Sequence, residues 1–264
     1  MIFENVMLER KGRVAKITLN RPQVLNALNI PLLRDLKAAI AEIEKDEEVD
    51  VVVLTGAGRA FCAGVDLKAV ADPEHQGPEF MYLLLDTFDA VESLEKPVIA
   101  AVNGYALTGG LELALCCDLI VAAEGAMLGD THARIGVIPG GGSSQKLPRL
   151  IGAVKAKELL FTSDLVPAAE AERMGLINKV APADKLEEVV GELAEKIVSN
   201  SQPSVRKLKS MVNQGLRTDL ASGMMMERSE FFRFRQRRIP EEMADRVRAA
   251  FDKTRARARE EGKK

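Results

Sequence analysis

Histidine, cysteine, net charge and long apolar runs are all scarce in this 264-residue chain, and each scarcity excludes a class of protein. There are three cysteines, Cys62, Cys116 and Cys117. The number is odd and the adjacent pair is poorly placed for an ordinary disulfide, so a stapled secreted scaffold is excluded and a reducing, cytoplasmic setting is expected. The two histidines, His75 and His132, form no Cys/His cluster at ligand spacing, so no metal is expected. A net charge of −2 carries no polycationic signal, and nucleic acid is not an expected partner. No stretch of about 18 apolar residues occurs, the runs Val98–Ala106 and Leu111–Ala123 being too interrupted, so no membrane span is expected. The first residues, MIFENVMLERKGRVAKITLN, lack a cationic segment followed by a long apolar run and read as strand, not signal peptide.

What is present is ordinary for a soluble globular protein: 47% hydrophobic and 29% charged residues, in a length that suits one or two domains. Charge is unevenly placed. Glu227–Lys264 holds 13 Lys/Arg against 8 Asp/Glu, a net +5 that leaves −7 on the remainder. The plain reading is a solvated helical surface; the sharper one is that part of this tail meets phosphate.

Asn5–Glu9 and Val14–Leu19 alternate around Lys11-Gly12 and read as a hairpin, broken by Arg21-Pro22. Leu32, Leu33, Leu36, Ile40 and Ile43 recur at helical spacing after Asn29, a capping residue, and Pro31, which suits a first turn. Val49–Thr55, rich in β-branched residues, and the apolar run Val98–Val102 have the pattern of strands covered on both faces. Pro78–Leu94 and Gly109–Cys117 read as helices and Asp118–Ala123 as a strand. This alternation argues for an α/β fold with a largely parallel sheet. After Gly140 the pattern is mostly helical: Ser143–Leu150, Val154–Phe161, Pro167–Met174, Pro182–Asn200, Ser204–Gly215, Asp219–Arg233 and Pro240–Arg259, with one strand at Leu176–Val180. A boundary is expected near residues 195–203, giving a core over 1–198 and a helical region over 199–264.

Two segments point to chemistry. In Phe61-Cys62-Ala63-Gly64-Val65-Asp66-Leu67, small residues follow a buried strand, which lets a ligand approach main-chain N–H groups or simply makes a tight turn. In Asn103–Leu113 a strand feeds Gly109-Gly110 and then a helix, whose first N–H groups lack internal partners and favour an anion or a developing oxyanion. Glu112 follows on the first turn, as a reactive carboxylate or as one satisfied by the helix dipole. Neither GxxxxGK[ST] nor a complete GxGxxG loop is matched.

FCAGVDL and NGYALTGGLELALCCDLIVAAEGAMLG, with RIGVIPGGGSSQKLPRLIG, LNRPQVLNALN and FTSDLVPAAEAERMGLINKV, resemble the ordered motif blocks of the enoyl-CoA hydratase/isomerase (crotonase) superfamily over roughly residues 5–215. The resemblance implies a crotonase-like spiral of ββα units followed by a C-terminal helical trimerisation region, and a homotrimer or a hexamer built as a dimer of trimers. It implies an acyl-CoA thioester substrate that brings coenzyme A with it, and no permanently bound cofactor. Its oxyanion donors would be the N–H groups of Ala63 and Gly109. Glu112 matches the first of two hydratase glutamates, and Gly140 a glycine beside the reacting water. The adenine would lie near Gln23, Val24 and Leu25 and near Gly64, Val65, Asp66 and Leu67, with Phe251 and Lys253 closing over the nucleotide.

One position departs from the pattern. The second hydratase glutamate falls at His132, within Gly129-Asp130-Thr131-His132-Ala133-Arg134, where Gly-Gln-Pro-Glu would be usual. Histidine can transfer protons near neutral pH, hold a water or face a partner subunit. Asp130 and Arg134 read as structural or pocket-shaping, or as recognising a polar acyl group. The expected activity is reversible addition of water to a 2-enoyl-CoA. The alternatives are isomerisation, dehydration or C–C hydrolysis of another acyl-CoA, and a non-catalytic acyl-CoA- or RNA-binding role.

Overall fold

The computed structural model describes residues 3–66, 68, 78–237, 244–249 and 251. The chain divides into two compact units, Met1–Lys209 and Ser210–Lys264. In the first, strands β1 (Val6–Lys11) and β2 (Val14–Leu19) form the expected antiparallel hairpin, turning at Gly12 with φ +58°. Helix α1 (Ile30–Lys45) starts as its sequence dictates: the Asn29 side chain accepts from the Leu32 N–H at 3.0 Å, and Pro31 lies in the first turn.

β3 (Val51–Gly56), β5 (Val98–Val102), β7 (Leu119–Ala123) and β10 (Lys179–Ala181) join the hairpin in a six-stranded sheet of order β1-β2-β3-β5-β7-β10, parallel from β2 onwards. The unbroken apolar runs are explained by burial on both faces. Val52, Leu54, Val98 and Ala100 pack in one core with α1 and α2 (Pro78–Ser93), while Val51, Val53, Ile99 and Ala101 pack with Leu186, Val190 and Ala194 of α7 (Leu186–Val198). Truncating a buried leucine such as Leu54 to alanine costs about 2–5 kcal/mol.

The strands of a second, four-stranded sheet of order β4-β6-β8-β9 are not visible in the residue pattern, although the family resemblance implies a second strand in each unit. They are β4 (Ala60–Cys62), β6 (Tyr105–Leu107), β8 (Met127–Gly129) and β9 (Val166–Pro167), too short to give a periodic signal. Each turn of the chain thus runs a long strand, a short strand in the neighbouring sheet, then a helix: β3–β4–α2, then β5–β6–α3 (Gly109–Leu115), which is the anticipated spiral of ββα units. Two corners require glycine. A Cβ at Gly56 would lie 2.2 Å from the Ala60 oxygen, and one at Gly104 would lie 2.1 Å from the Arg59 oxygen.

The remaining helices of this unit are α4 (Ser143–Ile151), α5 (Ala153–Thr162) and α6 (Ala168–Arg173). The strand expected over Leu176–Val180 is shorter and later, as β10, because Leu176 and Ile177 form a turn after Gly175 (φ +81°), their N–H groups donating back to Ala171 O at 2.8 and 3.4 Å. α8 (Gln202–Gly215) begins in the first unit, where Arg206 pairs with Asp50 at 3.3 Å and Lys209 with Asp118 at 2.7 Å. In the second unit α9 (Leu220–Arg237) leaves Leu220, Met225, Phe231 and Phe232 exposed. Of the helix expected over Pro240–Arg259, the described residues 244–249 and 251 are helical and the others lie outside the described set.

Candidate active site

The site is built where the short strands end. β4 leads into the loop Ala63–Asp66, and β6 into Thr108 and α3. The two segments interlock at glycines. Gly64 has φ +99°, and a Cβ there would sit 1.9 Å from the Thr108 hydroxyl; a Cβ on Gly110 would sit 2.0 Å from the Cys62 oxygen. Thr108 itself holds φ 48°, ψ −119°, a strained conformation for a β-branched residue, at the position that sets the direction of the Gly109 N–H.

Three backbone hydrogen bonds tie the Ala63–Asp66 loop to Leu25–Leu28. Ala63 N–H donates to Leu25 O at 3.0 Å, Leu28 N–H to Gly64 O at 2.7 Å, and Asp66 N–H to Leu28 O at 2.9 Å. This corrects the expectation for Ala63, whose N–H is already used. Among the described residues the N–H groups of Val65 and Gly109 have no hydrogen-bond acceptor, and the two residues adjoin: a Cβ on Gly109 would meet Val65 Cγ2 and Gly64 Cα at 3.7 Å. The pair of open donors is therefore Val65 and Gly109. Sequence reasoning placed Val65 beside the adenine and gave the donor role to Ala63, because the distinction rests on a carbonyl from a distant segment, Leu25.

Glu112 lies one helical turn beyond Gly109 and is 2% exposed. Its Oε1 accepts the Ser143 N–H at 3.2 Å, and the Gly141 N–H also donates to the carboxylate. Burial raises its pKa above the ordinary value, against the lowering effect of the Ser143 N–H and of His132. The glycine that touches this carboxyl is Gly141, not Gly140: a Cβ at 141 would lie 2.9 Å from Glu112 Cδ and 2.5 Å from the Phe88 ring, whereas one at 140 meets only Met81 Cε at 3.8 Å.

His132 Nε2 stands 3.9 Å from Glu112 Oε2, so the structure brings the two predicted proton-transfer groups together. That gap is too long for a direct hydrogen bond. On the other side of the ring, His132 Nδ1 is 2.8 Å from Asp130 Oδ1, which also accepts the His132 backbone N–H at 3.2 Å. Burial pulls the His132 pKa down, but Asp130 and then Glu112 outweigh it, so the net shift is upward. Burial likewise pushes Asp130 up, and hydrogen bonding to His132 together with the attraction of its charge outweighs it, so Asp130 is held below the ordinary carboxylate value. Arg134 is engaged elsewhere, donating to Ser163 O at 2.7 Å.

Of the other expected site residues, Gln23 is exposed, and Val24, Leu25 and Asp66 are partly buried beside the zipped loops. Asp66 accepts from Arg21 at 3.1 Å. Leu67 and Lys253 lie outside the described residues; Phe251 belongs to the second unit and is exposed. Among the described residues no group of three His, Cys, Asp or Glu could hold a metal ion, and no helix is long and apolar enough to cross a membrane.

Comparison with known proteins agrees with this architecture. The family model for enoyl-CoA hydratase/isomerase matches residues 9–248. The chain is 43% identical over 233 residues to a short-chain-enoyl-CoA hydratase of Clostridium acetobutylicum, covering 88% of this chain and 89% of that one. It is 41% identical to a crotonyl-CoA hydratase of Syntrophomonas wolfei, with 88% and 90% covered. The crystal structure of an enoyl-CoA hydratase from Bacillus anthracis superposes with a TM-score of 0.84 at 43% identity, over 86% of this chain and 90% of that one. The chain belongs to the enoyl-CoA hydratase/isomerase family. Members of other activity share the fold: a monofunctional enoyl-CoA isomerase from M. smegmatis superposes at a TM-score of 0.72 and 36% identity, over 84% and 98%. Activity must therefore be argued from the site.

Proposed function

We propose that this chain is an enoyl-CoA hydratase, adding water reversibly across the C2–C3 double bond of a 2-enoyl-CoA. The observation that carries the reading is a buried carboxylate, Glu112, one turn beyond two adjacent open N–H groups and 3.9 Å from His132. The thioester oxygen binds between Val65 N–H and Gly109 N–H, where donors fixed in advance stabilise the enolate. The Glu112 carboxylate takes a proton from water as the hydroxyl adds to C3. The resulting C1–C2 enolate collapses as the His132 imidazolium gives its Nε2 proton to C2, so one water has been added across the bond, and the proton held by Glu112 then returns to His132 Nε2 to restore both groups. Losing one oxyanion donor typically costs about 10²–10³ in rate. Coenzyme A enters with the substrate along the Gln23–Leu25 and Gly64–Asp66 loops, and neither a metal nor a further cofactor is required.

The hydratases and the crotonyl-CoA hydratase among the relatives support this substrate class. The test is incubation with crotonyl-CoA and longer 2-enoyl-CoA thioesters, following loss of the enoyl-thioester absorbance and product mass. Gain of one water supports hydration; an unchanged mass with a moved double bond would identify an isomerase. We further infer a trimer or hexamer, supported by the exposed Leu220, Met225, Phe231 and Phe232 of α9 and tested by light scattering at micromolar concentration. A cytoplasmic location is supported by three free thiols, Cys62, Cys116 and Cys117.

A further inference from the structure

We propose that Asp130 is the positioning residue of this site: by holding His132 Nδ1–H it dedicates Nε2 to the face shared with Glu112. The inference rests on the proton-transfer role given to His132 above. Its geometry is local. Asp130 follows β8 directly, and the chain there is tied to β6: Leu107 pairs with Gly129, and the Thr108 N–H donates to Gly129 O at 2.8 Å. Two residues later the chain turns back, so that Asp130 Oδ1 accepts both the His132 backbone N–H at 3.2 Å and its ring Nδ1 at 2.8 Å. Ring direction and ring tautomer are set by one oxygen.

The chemistry follows from burial. Asp130 is 1% exposed, and its Oδ2 has no hydrogen-bond partner among the described residues. A buried ionised carboxylate needs a partner charge, and the adjacent imidazole supplies it by binding a proton. A neutral histidine in water keeps its proton mainly on Nε2. A carboxylate at Nδ1 reverses that preference, as it does for imidazoles oriented by a second group elsewhere. The imidazolium then loses its proton only from Nε2, the nitrogen 3.9 Å from Glu112, and the neutral ring left behind cannot flip its tautomer without breaking the Asp130 bond. The charged groups acting on the ring are Asp130 and Glu112. A carboxylate in the place of His132 would need no such partner, so the imidazole and Asp130 form one unit.

The chain has two histidines, which makes the test direct. In a His75→Gln background, ring-¹⁵N histidine leaves His132 as the one labelled imidazole. Its nitrogen shifts are followed against pH in the wild-type and Asp130→Asn proteins. The expected result is that Nδ1 stays protonated throughout while Nε2 alone loses its proton as pH rises. In Asp130→Asn the midpoint moves to lower pH and the neutral ring shifts towards the Nε2–H form. In turnover, Asp130→Asn lowers kcat about 10²-fold, within the usual worth of a positioned acid, leaves KM within about threefold, and moves the alkaline limb of the pH profile to lower pH. An Nε2–H tautomer in the wild type, or an unchanged His132 titration in Asp130→Asn, overturns the inference. Should Asp130→Asn fail to fold, the wild-type tautomer decides alone. The nitrogen measurement needs no substrate, so a failed hydratase assay and a failed Asp130 role are told apart.

Discussion

Glu112→Gln separates catalysis from stability. The substitution preserves shape and removes the base. The open N–H groups of Val65 and Gly109, proposed as the oxyanion donors, and the loops around them are untouched, so substrate affinity should hold while kcat falls about 10²–10⁴-fold, or roughly 3–5 kcal/mol of transition-state stabilisation at about 1.4 kcal/mol per tenfold. Stability should move the other way. Burial raises the Glu112 pKa above its ordinary value despite the Ser143 and Gly141 N–H groups and His132. A carboxyl raised in the folded state binds protons more tightly there than in the unfolded chain. Its contribution is favourable below the ordinary pKa and becomes a cost as pH rises through the folded value. At neutral pH the glutamine removes that cost, and its amide oxygen can still accept from Ser143. We therefore expect a higher Tm than wild type at pH 7, with the difference shrinking as pH falls towards the ordinary glutamate pKa. Calorimetry across pH, with single-turnover kinetics on the same samples, reads both effects. Near-normal turnover would remove Glu112 as the base, and a Tm lowered by several degrees would refute the burial argument.

His132→Ala should cut turnover about 10²–10⁴-fold and strand the Asp130 carboxylate, destabilising by about 3–5 kcal/mol; urea unfolding checks this, and unchanged stability would mean that Asp130 does not depend on the imidazole. Gly110→Ala puts a methyl 2.0 Å from the Cys62 oxygen, so the interlocked loops must separate; loss of soluble protein or of acyl-CoA binding by calorimetry is expected, and wild-type affinity would contradict the loop geometry. Activity should be bell-shaped in pH, rising as Glu112 ionises through a raised pKa and falling as His132 deprotonates through a raised one; a flat profile in kcat across both limbs would remove the pair from chemistry. Chelator treatment should leave turnover unchanged, and activity that returned only with a divalent ion would sink the oxyanion mechanism.

Much of this was legible in the sequence because local rules agree with the fold. Asn29 and Pro31 begin α1, the apolar runs become doubly covered strands, and Gly109-Gly110 opens the helix that presents Glu112. What stayed hidden depends on contacts between distant segments. Whether Ala63 or Val65 offers an open N–H is decided by the Leu25 carbonyl. Whether Gly140 or Gly141 must be glycine is decided by Phe88 and Glu112 packing against it. The Asp130–His132 pair had a usable local signal, since an aspartate two residues before a histidine can close a side-chain turn. The same aspartate is equally compatible with shaping the pocket, and only the 2.8 Å ring contact distinguishes the two roles. The second sheet, with strands of two or three residues, leaves no periodicity to read.

The central claim is that water is added to C3 of an enoyl thioester whose enolate lies between Val65 and Gly109, and incubation with crotonyl-CoA in heavy-oxygen water tests it most directly. The account predicts a 3-hydroxyacyl-CoA carrying the heavy oxygen on C3, with coenzyme A still attached. Heavy oxygen in a released carboxylic acid, or an isomerised thioester that takes up none, would contradict it.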